Sequence, residues 1–132
     1  MVIGAGEAEF GATADGRVAG ALFETMVIAE VYKQTGWSER TLDLAHFRDR
    51  NGAEIDLIVE DRRTAQVAGL EVKLTATPTE RHARHLATLR DRLGSRFTVG
   101  LVVHAGRQML PLGERLWAVP VAALWRDDAA AA

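Results

Sequence analysis

Four residues, Arg50-Asn51-Gly52-Ala53, constrain this chain more than any other segment. Asn-Gly between two runs of strand-forming residues signals a hairpin, because the central positions of a tight hairpin turn need positive φ. The flanking runs at residues 41–49 and 54–60 are therefore expected to pair antiparallel. A second turn at Asp61-Arg62-Arg63-Thr64 leads into a third run at 66–74, so the middle of the chain reads as a meander. A helix is expected on each side. The first covers residues 18–34, with Gly36 as its stop. The second opens near Thr77, where Thr77 and Glu80 have capping-box spacing and Pro78 takes the first helical position. Leu86, Leu89 and Leu93 form its apolar stripe, and Gly94 ends it. Residues 97–104 are almost continuously apolar, as in a central strand covered on both faces. Segments 108–110 and 116–119 are expected as short edge strands. The order helix-strand-strand-strand-helix-strand predicts an α/β domain with one mixed sheet.

The domain is expected to occupy residues 18–125. The Gly/Ala-rich residues 1–17 read as a flexible linker, and 126–132 as a frayed tail. Gly4-Ala5-Gly6 is not a dinucleotide-binding turn, since Glu9 stands at the third glycine position and too few residues precede it for a strand. The chain holds 16 basic and 18 acidic residues, a net charge of −2. That disfavours a protein held on nucleic acid or anionic membrane by bulk charge. Cysteine is absent, which excludes a thiolate zinc site and a cysteine nucleophile. No apolar run approaches the ~18 residues of a membrane span. The opening Met1-Val2-Ile3-Gly4 lacks a signal peptide's basic and apolar regions. A cytoplasmic location is expected.

Chemistry enters where acids replace apolar residues. On a helical wheel Glu24 is surrounded by Gly20, Val27, Ile28 and Val31, a burying face on which a lone carboxylate costs several kcal/mol unless paired or bound to a cation. Glu30 falls on the flank beside Gln34 and is expected to be solvated or hydrogen-bonded. In the second strand, alternation puts Ile55, Leu57 and Val59 on one face and Asp56 on the other. In the third, Glu71 and Lys73 point together, opposite Leu70 and Val72. Asp56 and Glu71 meet if the strand register permits. Two carboxylates beside a lysine are the oxygen-ligand chemistry of Mg²⁺ or Mn²⁺. Phosphodiester hydrolysis follows from it, with Lys73 positioning water or stabilising phosphorus and Glu24 accepting from water at the metal.

These residues resemble the PD-(D/E)XK nuclease superfamily. The matching segments are Gly20-Ala21-Leu22-Phe23-Glu24, Glu54-Ile55-Asp56-Leu57-Ile58 and Gly69-Leu70-Glu71-Val72-Lys73. More closely, the chain resembles the uncharacterised C-terminal domain of prokaryotic AAA-type ATPases. The Phe47-to-Asp56 hairpin and the late Leu112-to-Pro120 and Leu124-Trp125 segments carry that likeness. The resemblance implies a restriction-endonuclease-like core that cleaves DNA, or less readily RNA. Asp56, Glu71 and the Val72 carbonyl would be its metal ligands, Lys73 the catalytic lysine and Glu24 the helical acid. It also implies an N-terminal ATPase module as partner, which this chain lacks, since it has no Gly-x-x-x-x-Gly-Lys-Ser/Thr. Homo-oligomerisation is left open. The alternative is a catalytically silent module of the same fold that regulates or docks to the ATPase through the late Leu/Trp segment.

Other residues weigh less. His82 and His85 have the spacing to share an ion, yet zinc wants further ligands; His82 is also a candidate phosphate contact. Arg48, Arg50, Arg62 and Arg63 are expected together at the hairpin tips, with Arg48 and Arg50 as candidate nucleic-acid contacts. Arg81, Arg84 and Arg92 share the outer side of the second helix and read as a solvated face. The scattered Trp37, Trp117 and Trp125 read as packing residues.

Overall fold

The structure, a computed structural model, describes residues 14–125. The reading of residues 1–13 as a linker and of 126–132 as a tail lies outside the described residues. Helix α1 spans Ala14–Thr35, so it starts four residues inside the segment that composition assigned to the linker. Extending a helix that is already nucleated costs far less than starting one, so Asp15 and Gly16 do not stop it. The hairpin strands are β1 (Leu42–Arg48) and β2 (Glu54–Asp61), followed by β3 (Val67–Lys73). A 3-10 turn at Glu80–Ala83 runs into α2 (Arg84–Leu93). Then come β4 (Phe97–His104), β5 (Leu110–Gly113), β6 (Leu116–Pro120) and a 3-10 turn at Val121–Trp125.

Among the described residues the strands form one six-stranded sheet in the order β1-β2-β3-β4-β6-β5. The meander β1-β2-β3 is antiparallel, β4 runs parallel to both β3 and β6, and β5 is antiparallel to β6. This is a mixed α/β fold with helices flanking a mixed sheet. Residues 116–119, expected as an edge strand, belong to β6, which lies second from the edge. Their partner β5 takes the edge and carries Pro111, whose missing N–H a central strand would not tolerate.

The tip of the first hairpin differs from a two-residue turn. Asp49 N–H donates to the Ala53 carbonyl at 2.9 Å, closing a loop of residues 50–52. The Asp49 carboxylate accepts the N–H groups of Asn51 and Ala53, both at 2.9 Å. Only Gly52 has positive φ, +86°, as in a three-residue loop that ends in a left-handed position. The second helix also starts later than expected. Thr77 N–H donates to Thr75 Oγ1, and the cap is Thr79. The reciprocal contact comes from His82, whose Nδ1 accepts the Thr79 N–H at 3.0 Å. Pro78 packs inside ahead of the helix.

Two apolar layers hold the sheet. On one face Val27 of α1, with Phe23, Ile28 and Val31, packs on Leu57, Leu70, Val72 and Val103. On the other, Leu86 of α2 packs with Ile55, Phe97, Val102 and Leu116. A Cβ at Gly69 would stand 2.6 Å from Leu86 Cδ2, and one at Gly100 2.8 Å from Leu116 Cδ2, so bare backbone lets the second layer close on the sheet. Glu30 is buried, which removes the solvated half of its solvated-or-hydrogen-bonded expectation. The last 3-10 turn lies across that flank, where Gln34 Nε2 donates to the Leu124 carbonyl at 2.6 Å.

Ile55 and Leu57 belong to opposite layers, although alternation alone puts them on one face. The cause is a bulge. Between the pairs Ala45↔Ile58 and Phe47↔Ile55, β1 advances two residues while β2 advances three. Asp56 and Leu57 together oppose His46. One extra residue reverses the facing of everything beyond it and re-aims the side chain at the bulge.

Candidate active site

That side chain is Asp56. The β2–β3 ladder runs from Glu60↔Val67 to Leu57↔Leu70. Next to it, side chains replace backbone partners. Asp56 Oδ2 accepts the Val72 N–H at 2.7 Å, and Glu71 Oε1 accepts the Asp56 N–H at 3.0 Å. The two carboxylates therefore stitch the strands together where the ladder stops. The Asp56 carbonyl lies 3.4 Å from His46 Nδ1, a partner for a backbone group that the bulge displaces.

Lys73 follows Glu71 by one strand period, and its Nζ stands 3.5 Å from Glu71 Oε2. Glu24 reaches the same place from α1. Its carboxyl is held above the ordinary value by burial, then by the charge of Asp56 and a hydrogen bond to it; Glu54 adds to this and His46 opposes it. Glu71 is 3% exposed. Burial pushes its carboxyl up to about 7, with the Asp56 charge acting in the same direction against Lys73 and the Asp56 N–H. Desolvation and like charge both disfavour ionisation.

These groups line a solvent-open cleft of about 300 Å³, with Gly52 and Glu54 from the hairpin. The same cleft is bordered by basic groups, Arg81, His82, Arg84 and His85, from the 3-10 turn and the start of α2. The Thr79 N–H can only donate, so neutral His82 carries its proton on Nε2. Its imidazole is held below the usual value by burial and by Lys73, Arg81 and Arg84. Near neutral pH it is thus a neutral donor beside two guanidinium groups.

Glu24, Asp56, Glu71, Val72, Lys73 and His82, all expected at the site, thus border one cleft. Arg48 instead pairs with Glu54 at 3.2 Å on the exposed hairpin. Arg50 sits on the exposed tip, and neither it nor Arg48 lines this cleft. The four arginines expected together divide, because Arg62 and Arg63 follow the other end of β2, about 25 Å away at ~3.3 Å per strand residue. Arg81 and Arg84, read from the sequence as outward-facing, border the cleft mouth. The sequence held one signal for them, their position beside His82 at a helix start. Among the described residues no group of three or more His, Asp or Glu side chains is arranged to hold a metal ion.

A second cleft, of about 400 Å³, shares Glu24 and Asp56 with the first and opens toward α1 and His46. No described helix is long and apolar enough to cross a membrane. No curated protein and no solved structure matches the chain. A match over residues 19–124 takes in every strand and every residue lining the two clefts, and on it the chain belongs to the family described as a domain of unknown function, DUF4143.

Proposed function

We propose that this domain hydrolyses phosphodiester bonds in nucleic acid with the help of Mg²⁺ or Mn²⁺. The carrying observation is one cleft of mixed charge, lined by Glu24, Asp56 and Glu71 from three elements together with Lys73, Arg81, His82 and Arg84. In this reading the mixed sheet and its helices are a restriction-endonuclease-like core of the PD-(D/E)XK type. DNA is the first substrate class and RNA the second, and an AAA-type ATPase module is the expected partner.

The donor set suits a hard cation. Mg²⁺ takes one or two carboxylates and completes its shell with water and phosphate oxygens, so it does not require three acidic ligands. Asp56 uses Oδ2 and Glu71 uses Oε1 for backbone N–H groups, and the other Glu71 oxygen, Oε2, already has Lys73 Nζ 3.5 Å away, so an ion there would share it with the lysine. Of the two carboxylates, Glu71 is buried, and a second carboxylate beside a buried one is costly unless a cation compensates it. Asp56, Glu71 and the Val72 carbonyl would hold the ion, which supplies Lewis-acid stabilisation of charge at phosphorus. Arg81 and Arg84 draw the phosphate in and neutralise it. His82 Nε2–H donates to a phosphate oxygen without adding charge. Lys73 holds Glu71 and stabilises charge that builds in the transition state. Glu24, with its raised affinity for protons, takes a proton from the attacking water.

Labelled single-stranded and duplex DNA, incubated with Mg²⁺ or Mn²⁺, test the reading. Cleavage is expected, and Lys73→Ala should abolish it. No cleavage, together with no shift of the melting temperature by either ion, would sink it.

One observation favours a second reading, a silent docking module. Met109 and Trp117, near and on the β5–β6 edge, are 60% and 38% exposed. In that case Asp56→Ala leaves partner binding intact.

A further inference from the structure

The second cleft differs from the first in chemistry. Ile28, Ala29 and Tyr32 of α1 form one wall, and Leu57 of the bulge lies among its lining. His46 borders it, set between the Asp56 carbonyl and the Glu54 carboxylate, 3.3 Å from the latter. No lysine or arginine lines it; its charged groups are Glu24 and Asp56, shared with the first cleft, and His46 when protonated. A phosphate would find the Thr25 and Tyr32 hydroxyls but no permanent cation there, and it would have two carboxylates against it. A flat, neutral group with N–H donors has an apolar wall, an aromatic ring and acceptors. Tyr32 is about half exposed, and among the described residues no hydrogen bond holds its hydroxyl.

We infer that this cleft takes an unpaired nucleobase of the strand whose phosphate enters the neighbouring cleft, so that the domain acts on single-stranded or frayed nucleic acid. The inference rests on the phosphodiesterase reading and narrows its substrate. Continuity carries it: Glu24 and Asp56 border both clefts, so a strand passing them has phosphate on the basic side and a base on the apolar side. A base within a continuous duplex cannot occupy such a pocket without leaving its stack. Charge argues the same way. The chain carries −2 overall, and the permanent cations beside the first cleft are Lys73, Arg81 and Arg84. Duplex binders gain affinity by displacing counterions along many phosphates, whereas single-strand binders add base stacking on aromatic rings.

The test is fluorescence anisotropy with a labelled single-stranded 12-mer and its duplex, in Ca²⁺ so that cleavage does not consume the probe. The single strand should bind at least about 5-fold more tightly, since one stacked base is worth roughly 5- to 150-fold. Tyr32→Ala should remove that margin and leave duplex binding unchanged, and Tyr32→Phe should keep it. With three phosphate-facing cations, the slope of log K against log salt should be about −2. Equal binding of both probes, with Tyr32→Ala silent, overturns the base pocket and leaves cleavage to its own assay. Single-strand binding that Tyr32→Ala weakens, without Mg²⁺-dependent cleavage, keeps the pocket and removes the hydrolytic reading. No binding of either probe overturns both.

Discussion

The sheet has two halves built on different rules. From β3 through β4 to β6 the strands are parallel. Their ladders are unbroken from Ala68↔Val99 to Lys73↔His104 and from Gly100↔Leu116 to His104↔Pro120, and Leu86, Val102 and Ala118 are fully buried. The β1–β2 hairpin is antiparallel, half-exposed, bulged, and joined to β3 at one end by carboxylates rather than backbone. The regular half carries stability. The irregular half carries chemistry, because re-aiming a carboxylate requires breaking the ladder that would otherwise order it.

Substitutions can break this division. The largest effect is expected at Asp56→Asn. Partners of metal ligands are often worth 10- to 100-fold, so loss of a ligand should cut cleavage by about 100-fold or more. The amide oxygen still accepts the Val72 N–H, so the melting temperature should hold. A variant that unfolds while losing activity would place stability in the irregular half after all. Leu86→Ala is the counterpart. It should cost about 2–5 kcal/mol in denaturant unfolding, and the folded remainder should keep its turnover.

Glu71 joins the halves and gives a smaller effect that depends on pH. Its carboxyl rises from 4.5 to about 7 in the folded state, so that state binds the extra proton. The stability this contributes is fully present below pH 4.5 and is lost as pH rises through 7. With EDTA present, Glu71→Gln should flatten that decline. At pH 8 it should be more stable than the parent by up to about 3 kcal/mol, at roughly 1.4 kcal/mol per pH unit. Equal stability of the two at pH 8 would show that Glu71 is ionised at no cost. The smallest effect is expected at Arg62, whose Nε meets both Asp43 oxygens at 2.9 and 2.8 Å on the surface. Arg62→Ala should leave the melting temperature unchanged in physiological salt.

How much was legible in the sequence follows the same division. Residues 97–104 form β4 at the expected limits, because a strand buried on both faces leaves an apolar run. Glu24 stood out because a charge among Val27, Ile28 and Val31 has few explanations. The bulge left no trace. Both sides of β2 are covered, so Ile55, Leu57 and Val59 are apolar whether or not the phase slips between them. Thr77 had the sequence signal, with Pro78 and Glu80 behind it, yet the cap is Thr79, because His82, three residues after it, closes the box with a ring nitrogen, a partner that the Glu/Gln rule does not look for. Arg81 and Arg84 escaped because a wheel shows which way a side chain leaves its helix. It does not show what lies beyond the helix end.

The extra residue in β2 also fixes how the hairpin answers to length change. Removing one residue from the 50–52 loop would disturb the turn that Asp49 closes and the Gly52 border of the cleft, but would leave the facing of β2 unchanged. Removing Leu57 would restore plain alternation and set Asp56 where Leu57 now meets Val27, a bare charge in an apolar layer. The count of residues between Ile55 and Ile58 is thus as much a component of the site as the carboxylate it aims. A deletion scan would find the facing of β2 kept when the tip is shortened and lost when the strand is.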